Sequence, residues 1–231
     1  MPDIDLIKIL ENRDPSENLS LRHARVENLD LSDRNLSNID FKKAVFQNVN
    51  LRGANLTGSD LEEAFLEHAD LREAKLVDCH LRGTDFRFAD LRSADISGAY
   101  LFGAVLENAN LQDIKYDDRT QFFRLYCPAE GAFLGYKKCF NERLVQLLIP
   151  KDAKRTSATM NTCRCDKAKV LSIQSLDGKQ HFSEATSYVD ENFVYRVGEY
   201  VIVENFNEDR WFDSTTGIHF WLTREEAAGY M

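Results

Sequence analysis

Apolar residues recur at every fifth position between Leu21 and Tyr116, and the positions between them are mostly polar. A small residue, usually alanine, stands two positions before most of these apolar residues, as Ala54 stands before Leu56. A helix would space its apolar residues three and four apart, and a strand would alternate them with polar residues. A short fixed period instead predicts a solenoid, in which each turn of chain buries its apolar side chains against its neighbours.

The same region repeats a short motif, Ala-(Asp or Asn)-Leu-x-x, as in Ala54-Asn55-Leu56, Ala69-Asp70-Leu71 and Ala89-Asp90-Leu91. The motif resembles the repeat of the pentapeptide-repeat family, and the resemblance extends over residues 21–116. It implies a right-handed quadrilateral β-helix with four pentapeptides per coil. Twenty consecutive pentapeptides then imply a β-solenoid of about five coils, which we place at residues 21–118.

Residues 1–20 precede the repeats and are predicted to form an N-terminal helical cap. Ile4, Ile7 and Leu10 have the spacing of one helix face, and Pro15 ends the element. We expect this helix to cover the open end of the β-helix, because uncovered edge groups there would pair with another chain.

Residues twenty apart lie above one another in such a solenoid, so its outer faces can be identified from the sequence. One face carries an arginine column of Arg52, Arg72 and Arg92 beside a column of acids and amides. These charges either neutralise one another on a solvated face or form a site for an anion or a partner. The neighbouring column consists of Asp30, Asn50, Asp70, Asp90 and Asn110.

A second face carries outward apolar residues, Val45, Phe65 and Val105, with Phe88 close by. A row of exposed apolar residues is unusual on a monomer and indicates a covered surface. Another part of the chain, a second copy in a homo-oligomer, or a foreign protein are the three alternatives for what covers it.

The five-residue period ends near Tyr116, and residues 119–231 are predicted to form a mostly antiparallel α+β domain. Apolar runs at 132–140 and 144–149 flank a hairpin turn, and the polar segment 151–167 is predicted as a loop. The pattern Thr223-Arg224-Glu225-Glu226 is a capping box that opens a final helix at 224–229. Further strands are predicted at 169–176, 193–197, 200–203 and 217–222.

Several groups of residues in this domain, taken in order, carry a second resemblance: Cys127-Pro128, Gly135–Lys138, Ala153–Ser157, Cys163–Cys165 and Gly217–Phe220. Together they resemble a domain of unknown function that follows repeat regions in phage and bacterial proteins. The resemblance implies a phage or prophage context, and it brings no assigned chemistry with it.

Four cysteines, Cys127, Cys139, Cys163 and Cys165, are candidate ligands of a zinc ion. Structural zinc sites usually place two cysteines two to four residues apart, whereas the separations here are 12, 24 and 2. We also expect Cys163 and Cys165 to point to opposite sides of an extended segment. Free thiols are the alternative, and the odd total of five cysteines without an export signal favours it.

His219 is the candidate catalytic residue, because it lies on a predicted strand just before two glutamates, where it could serve in acid–base chemistry. The alternative is a structural hydrogen bond from its ring.

Lys154, Arg155 and Arg164 belong to a basic cluster in an otherwise acidic protein. The cluster is either a solvated loop or a site for phosphate or an acidic partner.

The formal net charge of −9 disfavours nonspecific nucleic-acid binding. The sequence shows neither a signal peptide nor an apolar run long enough to cross a bilayer, so we expect a cytoplasmic protein with no membrane partner. Phosphate-binding loops, dinucleotide fingerprints and catalytic triads are also missing from the sequence. We therefore expect no cofactor.

These observations predict a noncatalytic protein-interaction module, a phage-type inhibitor or adaptor that presents a rigid β-helix surface to a host protein. The first alternative comes from the family resemblance, since some members mimic duplex DNA and bind DNA gyrase or topoisomerase. The second alternative is that residues 119–231 form an enzyme acting on a nucleotide or a phosphorylated ligand.

Overall fold

A computed structural model of the protein describes residues 6–14 and 17–230, in which the chain forms two compact units, Met1–Arg124 and Leu125–Met231. Ile4 and Pro15, on which the ends of the predicted cap helix depend, lie outside the described residues. None of the helices in the described part of the chain combines the length and the apolar character needed to cross a bilayer.

Regular elements are short in the first unit and longer in the second. In chain order they are α1 (Leu6–Asn12), β1 (Leu19–Ser20), β2 (Arg25–Glu27), β3 (Ile39–Asp40), β4 (Val45–Gln47), β5 (Phe133–Cys139), β6 (Arg143–Ile149), β7 (Arg155–Ser157), β8 (Cys163–Cys165), β9 (Lys167–Ser175), β10 (Glu184–Thr186), β11 (Val194–Arg196), β12 (Tyr200–Ile202), β13 (Ile218–Phe220) and α2 (Arg224–Gly229). Glu11 of α1 forms an ion pair with Arg34 at 3.4 Å. The capping role of α1 stays a prediction.

The first unit is a β-helix in which residues twenty apart are bonded to each other. β1 pairs parallel with β3, and β2 with β4. Isolated parallel bridges continue the same spacing along the unit, for example from Asn55 to Lys75 and from Lys75 to Asp95. The side chains of Leu56, Leu76 and Ile96 are at most 2% exposed. The predicted apolar column is therefore buried, and the outer faces are ordered as predicted.

An aspartate or asparagine precedes many of the buried apolar residues and shapes the corner of the coil there. The side chain of Asp90, for example, accepts a hydrogen bond from the backbone N–H of Arg92 at 3.2 Å. The following residue, Ser93, has a φ of 58°, and Gly58 at the equivalent position has a φ of 70°. Asp and Asn stabilise such turns through their side chains, and glycine adopts positive φ without steric cost. This geometry explains why Asp and Asn are common just before the buried apolar residues, and why Gly, Asn and Asp are common two positions after them.

The last coil departs from the regular spacing near Tyr116. Tyr100 bridges to Gln121, which is one residue beyond the usual partner position. Tyr116 is 46% exposed, and its ring packs on Phe123 with the centroids 4.9 Å apart. The prediction that Tyr116 points into the core is wrong. The bridge from Asp95 to Lys115 still has the spacing of twenty, and the chain departs from it in the residues that follow, beginning with Tyr116.

The second unit is mostly antiparallel with few helices, as predicted. One sheet has the strand order β12-β9-β6-β5, a second has the order β13-β8-β7, and β10 and β11 form a separate hairpin. The capping box at the start of α2 is confirmed, because Thr223 and Glu226 exchange side chain to backbone hydrogen bonds. The core of the unit includes Cys139, Val145, Leu147, Ile149, Val170, Ile173, Tyr195 and Phe220.

The segment 151–167 is not the loop that its polar composition predicts, because it contains β7 and β8 and begins β9. Thr156 and Ser157 are at most 4% exposed, and Arg164 is 2% exposed. β8 lies between β13 and β7, and its backbone groups pair on both sides. Polar residues can occupy a buried strand here because their side chains find hydrogen-bond partners inside the unit.

Candidate functional site

The face of the β-helix that carries Val45, Phe65, Phe88 and Val105 is called the phenylalanine face below. Parallel bridges join Val45 to Phe65, Phe65 to Asp85, and Asp85 to Val105, so these residues form one column. Phe65 and Phe88 are each 49% exposed, whereas the two valines are half-buried. The exposed apolar surface of this face is therefore concentrated at its two phenylalanines.

Phe88 occupies a backbone conformation that a bulky residue rarely adopts. Its φ is 57°, in the left-handed region, where most side chains crowd the backbone. Its ring stacks on that of His68, with the centroids 5.0 Å apart and the planes 13° apart. The same positive φ recurs at this position in other coils, for example at His68 with 60° and Asn108 with 57°, so the fold requires it. Phe88 is distinctive on the phenylalanine face because a large, exposed aromatic residue occupies such a position.

An ion pair interrupts the apolar column at Asp85, which is 6% exposed. Arg87 Nε donates to the Asp85 carboxylate at 3.0 Å. Burial by itself would raise the pKa of Asp85, but the hydrogen bonds from Arg87 outweigh burial and hold that pKa below its usual value. The face thus presents two separate phenyl rings beside an ion pair rather than a continuous apolar strip.

The arginine column lies beside carboxylates along its whole length. Arg72 Nε donates to Asp70 at 2.8 Å and Arg92 Nε donates to Asp90 at 2.9 Å, while Arg52 donates to a glutamate at 2.7 Å. Hydrogen bonds from the arginines hold the pKa of Asp70 and of Asp90 below the usual range. This geometry fits the interpretation that the charges neutralise one another, and an anion would have to displace a carboxylate from each guanidinium.

The basic cluster of the second unit does not form an open anion site in the described residues. Lys154 forms an ion pair with Glu208, and the guanidinium of Arg155 donates to backbone carbonyl groups, including that of Gly131 at 2.6 Å. The prediction that Arg164 lies in an exposed basic loop is wrong. Arg164 is buried, and its guanidinium donates to four backbone carbonyls at 2.8–3.0 Å, because the surrounding chain folds over β8.

The four candidate zinc ligands are all buried free thiols. Cys163 and Cys165 are two residues apart on β8, so they point to the same side, and the expectation of opposite sides is wrong because strand side chains alternate with a period of two. Cys127 and Cys163 hydrogen-bond to each other, which lowers the pKa of Cys127 and raises that of Cys163. The sulfur atoms do not converge as a ligand set among the described residues.

The one group of three metal-binding side chains that converges in the described part of the chain lies on the β-helix. Ligand atoms of Asp60, Glu62 and His80 lie within 4.8 Å of one another. Lys42 and Arg82 already form ion pairs with Glu62 at 3.0 and 2.8 Å. Two cations beside the carboxylate would repel a divalent ion, so this group is better described as an ion-pair network.

A cavity of about 800 Å³ opens in the second unit and is lined by Lys137, Asp213 and His219 among others. His219 Nε2 lies 2.9 Å from the carbonyl oxygen of Thr215, so Nε2 carries the proton and donates. Burial lowers the pKa of His219 and raises the pKa of Asp213, and it therefore favours the neutral form of both groups. His219 makes the structural hydrogen bond expected as the alternative, and it also borders a cavity.

Lys137 is the cavity residue that sequence reasoning missed. It looks like half of an ordinary Lys-Lys pair, but β5 buries Gly135, Lys137 and Cys139, whereas Lys138 between them is only partly buried. The alternation of small residues with Lys137 along a strand was the signal that could have identified it. Lys137 is 7% exposed, so the strand directs an amine into the interior.

Comparison with protein families assigns both units. Residues 24–108 match the model of the pentapeptide repeats, in overlapping segments at 24–62, 50–87 and 69–108. Residues 123–227 match a family of unknown function, DUF5758. Among curated proteins, none matches the chain.

Solved structures similar to this chain are pentapeptide repeat proteins. One from Nostoc Pcc 7120 is 31% identical over 42% of this chain and 80% of that chain, with a TM-score of 0.36. One from the Arabidopsis thaliana thylakoid lumen is 27% identical over 42% of this chain and 72% of that chain, with a TM-score of 0.27. QnrB1, a plasmid-mediated fluoroquinolone resistance protein, is 18% identical over 43% of this chain and 65% of that chain, with a TM-score of 0.24.

Proposed function

The chain belongs to the pentapeptide repeat family through residues 24–108, and from this premise we propose that its right-handed β-helix is a noncatalytic protein-interaction module that binds through the phenylalanine face. The observation that carries the proposal is the exposure of Phe65 and Phe88, 49% each, on one face of a rigid solenoid. A few residues, often with aromatic side chains that the partner buries, carry most of the binding energy at protein interfaces. A rigid surface also loses little conformational entropy on binding.

The finer form of the proposal is a phage-type inhibitor or adaptor whose partner is a protein of the bacterial host. Its support is the resemblance of residues 119–231 to domains that follow repeats in phage and bacterial proteins. A second copy of this chain is the competing occupant of the phenylalanine face, and the experiment below distinguishes the two.

Site-specific photo-crosslinking tests the proposal on the intact chain. A benzophenone amino acid is placed at Glu67, on the phenylalanine face, and separately at Thr57, on a different face of the β-helix. We expect a cross-linked partner in a host lysate from position 67 and none from position 57. The purified partner should then bind the Phe65→Ser variant at least tenfold more weakly than the wild type.

The outcomes of this experiment separate the alternatives. A product containing two copies of this chain replaces the host partner with a homo-oligomer. Equal products from positions 67 and 57, or no product from either, would contradict the proposed surface. Circular dichroism of Phe65→Ser is the folding control, since an outward, half-exposed side chain can be shortened without opening the core.

The gyrase alternative takes second place because it needs a continuous negative surface. The ion pairs of Arg72 with Asp70 and of Arg92 with Asp90 neutralise charge in the acidic column of the β-helix. A supercoiling assay decides this alternative: inhibition or protection of DNA gyrase at micromolar protein would restore it.

A further inference from the structure

The cavity of the second unit has the size of a small-molecule site. Its volume of about 800 Å³ falls within the range of about 300–1,000 Å³ typical of ligand pockets. Residues from β5, β11, β13 and the segments between β7 and β8 and between β12 and β13 line it. The cavity therefore lies where several elements meet, and none of the surface features discussed above contributes to it.

Lys137 is the one lysine that is both buried and unpaired at this cavity. Its ammonium group has no hydrogen bond or ion pair to any described residue, although it is only 7% exposed. A neighbouring lysine of the cavity, Lys138, instead forms an ion pair with Glu142 at 3.3 Å. Burial lowers the pKa of Lys137, as expected when a charge loses water without gaining a partner. An anionic ligand would supply the missing partner.

The other charges at the cavity limit the ligand to a single negative charge. Asp190, Glu204 and Asp213 line the cavity, and its described lining contains no arginine. Phosphate groups are usually held by several donors, such as arginine forks. Because Lys138 is already paired with Glu142, Lys137 is the one ammonium group in the described lining that is left for a ligand. It fits a monocarboxylate better than a dianion, whose second charge would stay unpaired and would be repelled by Asp190 and Glu204.

The remaining walls favour an aromatic body for that ligand. Flat apolar surfaces are provided by Tyr188, Phe193, Tyr195 and Trp221, and Met160 adds an adaptable thioether. Aromatic rings pack well on such walls in stacked or edge-on arrangements. His219 Nδ1 has no partner among the described residues, and it offers an acceptor for a hydroxyl or N–H group of the ligand.

We propose that this cavity binds a small aromatic monocarboxylate, with Lys137 as the counter-ion of the carboxylate. The proposal is independent of the phenylalanine face, because it concerns a different unit of the chain. It assigns the DUF5758 domain a ligand-binding role, and it involves no covalent step.

Ligand binding by the full-length protein tests the proposal. The probes are benzoate, cinnamate and indole-3-acetate, compared with benzamide and phenyl phosphate, and the readouts are thermal stabilisation and calorimetric affinity. At least one carboxylate should stabilise the wild type saturably, while benzamide should not. Lys137→Met should weaken that affinity by roughly 30-fold or more, and Lys179→Met, which changes an exposed lysine, should leave it unchanged.

The results that would overturn the proposal are equally definite. They are the failure of all three carboxylates to bind, tighter binding of phenyl phosphate than of any carboxylate, or equal affinity in Lys137→Met. Lys137→Gln is the second variant if Lys137→Met does not fold, and it should show the same loss. The absence of a cross-linked product at the phenylalanine face would not bear on this proposal, because the two experiments test different units of the chain.

Discussion

Phe88 combines an exposed aromatic ring with a left-handed backbone, and the second property has an energetic consequence. Asparagine tolerates positive φ far better than phenylalanine does, and it already occupies the equivalent position one coil later, at Asn108 with a φ of 57°. We expect Phe88→Asn to raise the free energy of unfolding by about 1 kcal/mol, because it relieves backbone strain, while binding through the phenylalanine face weakens.

Chemical denaturation of Phe88→Asn checks this expectation, and Asn108→Phe is the matched reciprocal variant. Asn108→Phe should lower the free energy of unfolding, since it introduces the strain that the first variant removes. Unchanged or lower stability in Phe88→Asn would show that the stacked His68 ring compensates for the strain.

Glu62 is the most strongly perturbed carboxylate of the β-helix. Hydrogen bonds from Arg82 and then Lys42 lower its pKa to about 2. A depressed folded-state pKa stabilises the fold above the unfolded value near 4.5, and this stabilisation is lost as the pH falls towards 2. Glu62→Gln should therefore lose less thermal stability than the wild type between pH 5 and pH 2. Added salt should shrink the difference because the pair is near the surface.

A titration of thermal midpoints at low ionic strength measures this effect. Identical pH profiles for the wild type and Glu62→Gln would show that the pairs of Glu62 with Arg82 and Lys42 do not persist in solution.

At the scale of elements, Arg164 shows how one side chain can hold an irregular segment in place. Its four acceptors are the backbone carbonyls of residues 207, 209, 212 and 216, which lie between β12 and β13. Arg164→Met would leave several buried carbonyls without a donor, at about 1–3 kcal/mol for each one that water cannot reach. We expect a loss of about 3 kcal/mol or more in the free energy of unfolding.

Hydrogen exchange should show that the loss in Arg164→Met begins in segment 205–217. Arg164→Lys should not restore stability, because a single ammonium group cannot span four acceptors. Arg196→Met, at an exposed ion pair with Glu184, is the control and should change stability by less than about 1 kcal/mol. If the backbone amides of segment 205–217 exchanged as slowly in Arg164→Met as in the wild type, the role assigned to Arg164 would be contradicted.

The two units differ in how far their elements could be predicted from the sequence. In the regular coils of the β-helix, residues twenty apart pair with each other, so the buried column through Leu56 and Leu76 and the outward position of Phe65 follow from the five-residue period. In the second unit β7 and β8 are buried by partners some fifty residues away, such as Thr216, which is hydrogen-bonded to Arg164. The burial of Lys137 could not be predicted for the same reason, because the residues that surround its side chain are distant in the sequence and come near it only on folding.

At the scale of the whole molecule, all five cysteines are buried and none of them forms a disulfide. The native protein should therefore react only slowly with a thiol reagent such as dithionitrobenzoate. The denatured protein should release five equivalents of thionitrobenzoate, one for each cysteine. Burial raises the pKa of Cys139 to about 11, which further suppresses its thiolate. One rapidly reacting thiol in the native state would identify an opening of the core, and fewer than five after denaturation would indicate a disulfide.

The twenty-residue spacing restricts how this gene can change length during evolution. Inserting one pentapeptide between Phe65 and Phe88 would rotate every later residue by a quarter of a coil, so that Phe88 would no longer lie on the same face as Phe65. Only insertions or deletions of a whole coil, which has twenty residues, keep residues of distant coils on the same face. An isolated extra residue is accommodated at the terminus, between Tyr100 and Gln121, where few coils follow that could be misaligned. Relatives that keep the same binding side should therefore differ by multiples of twenty residues.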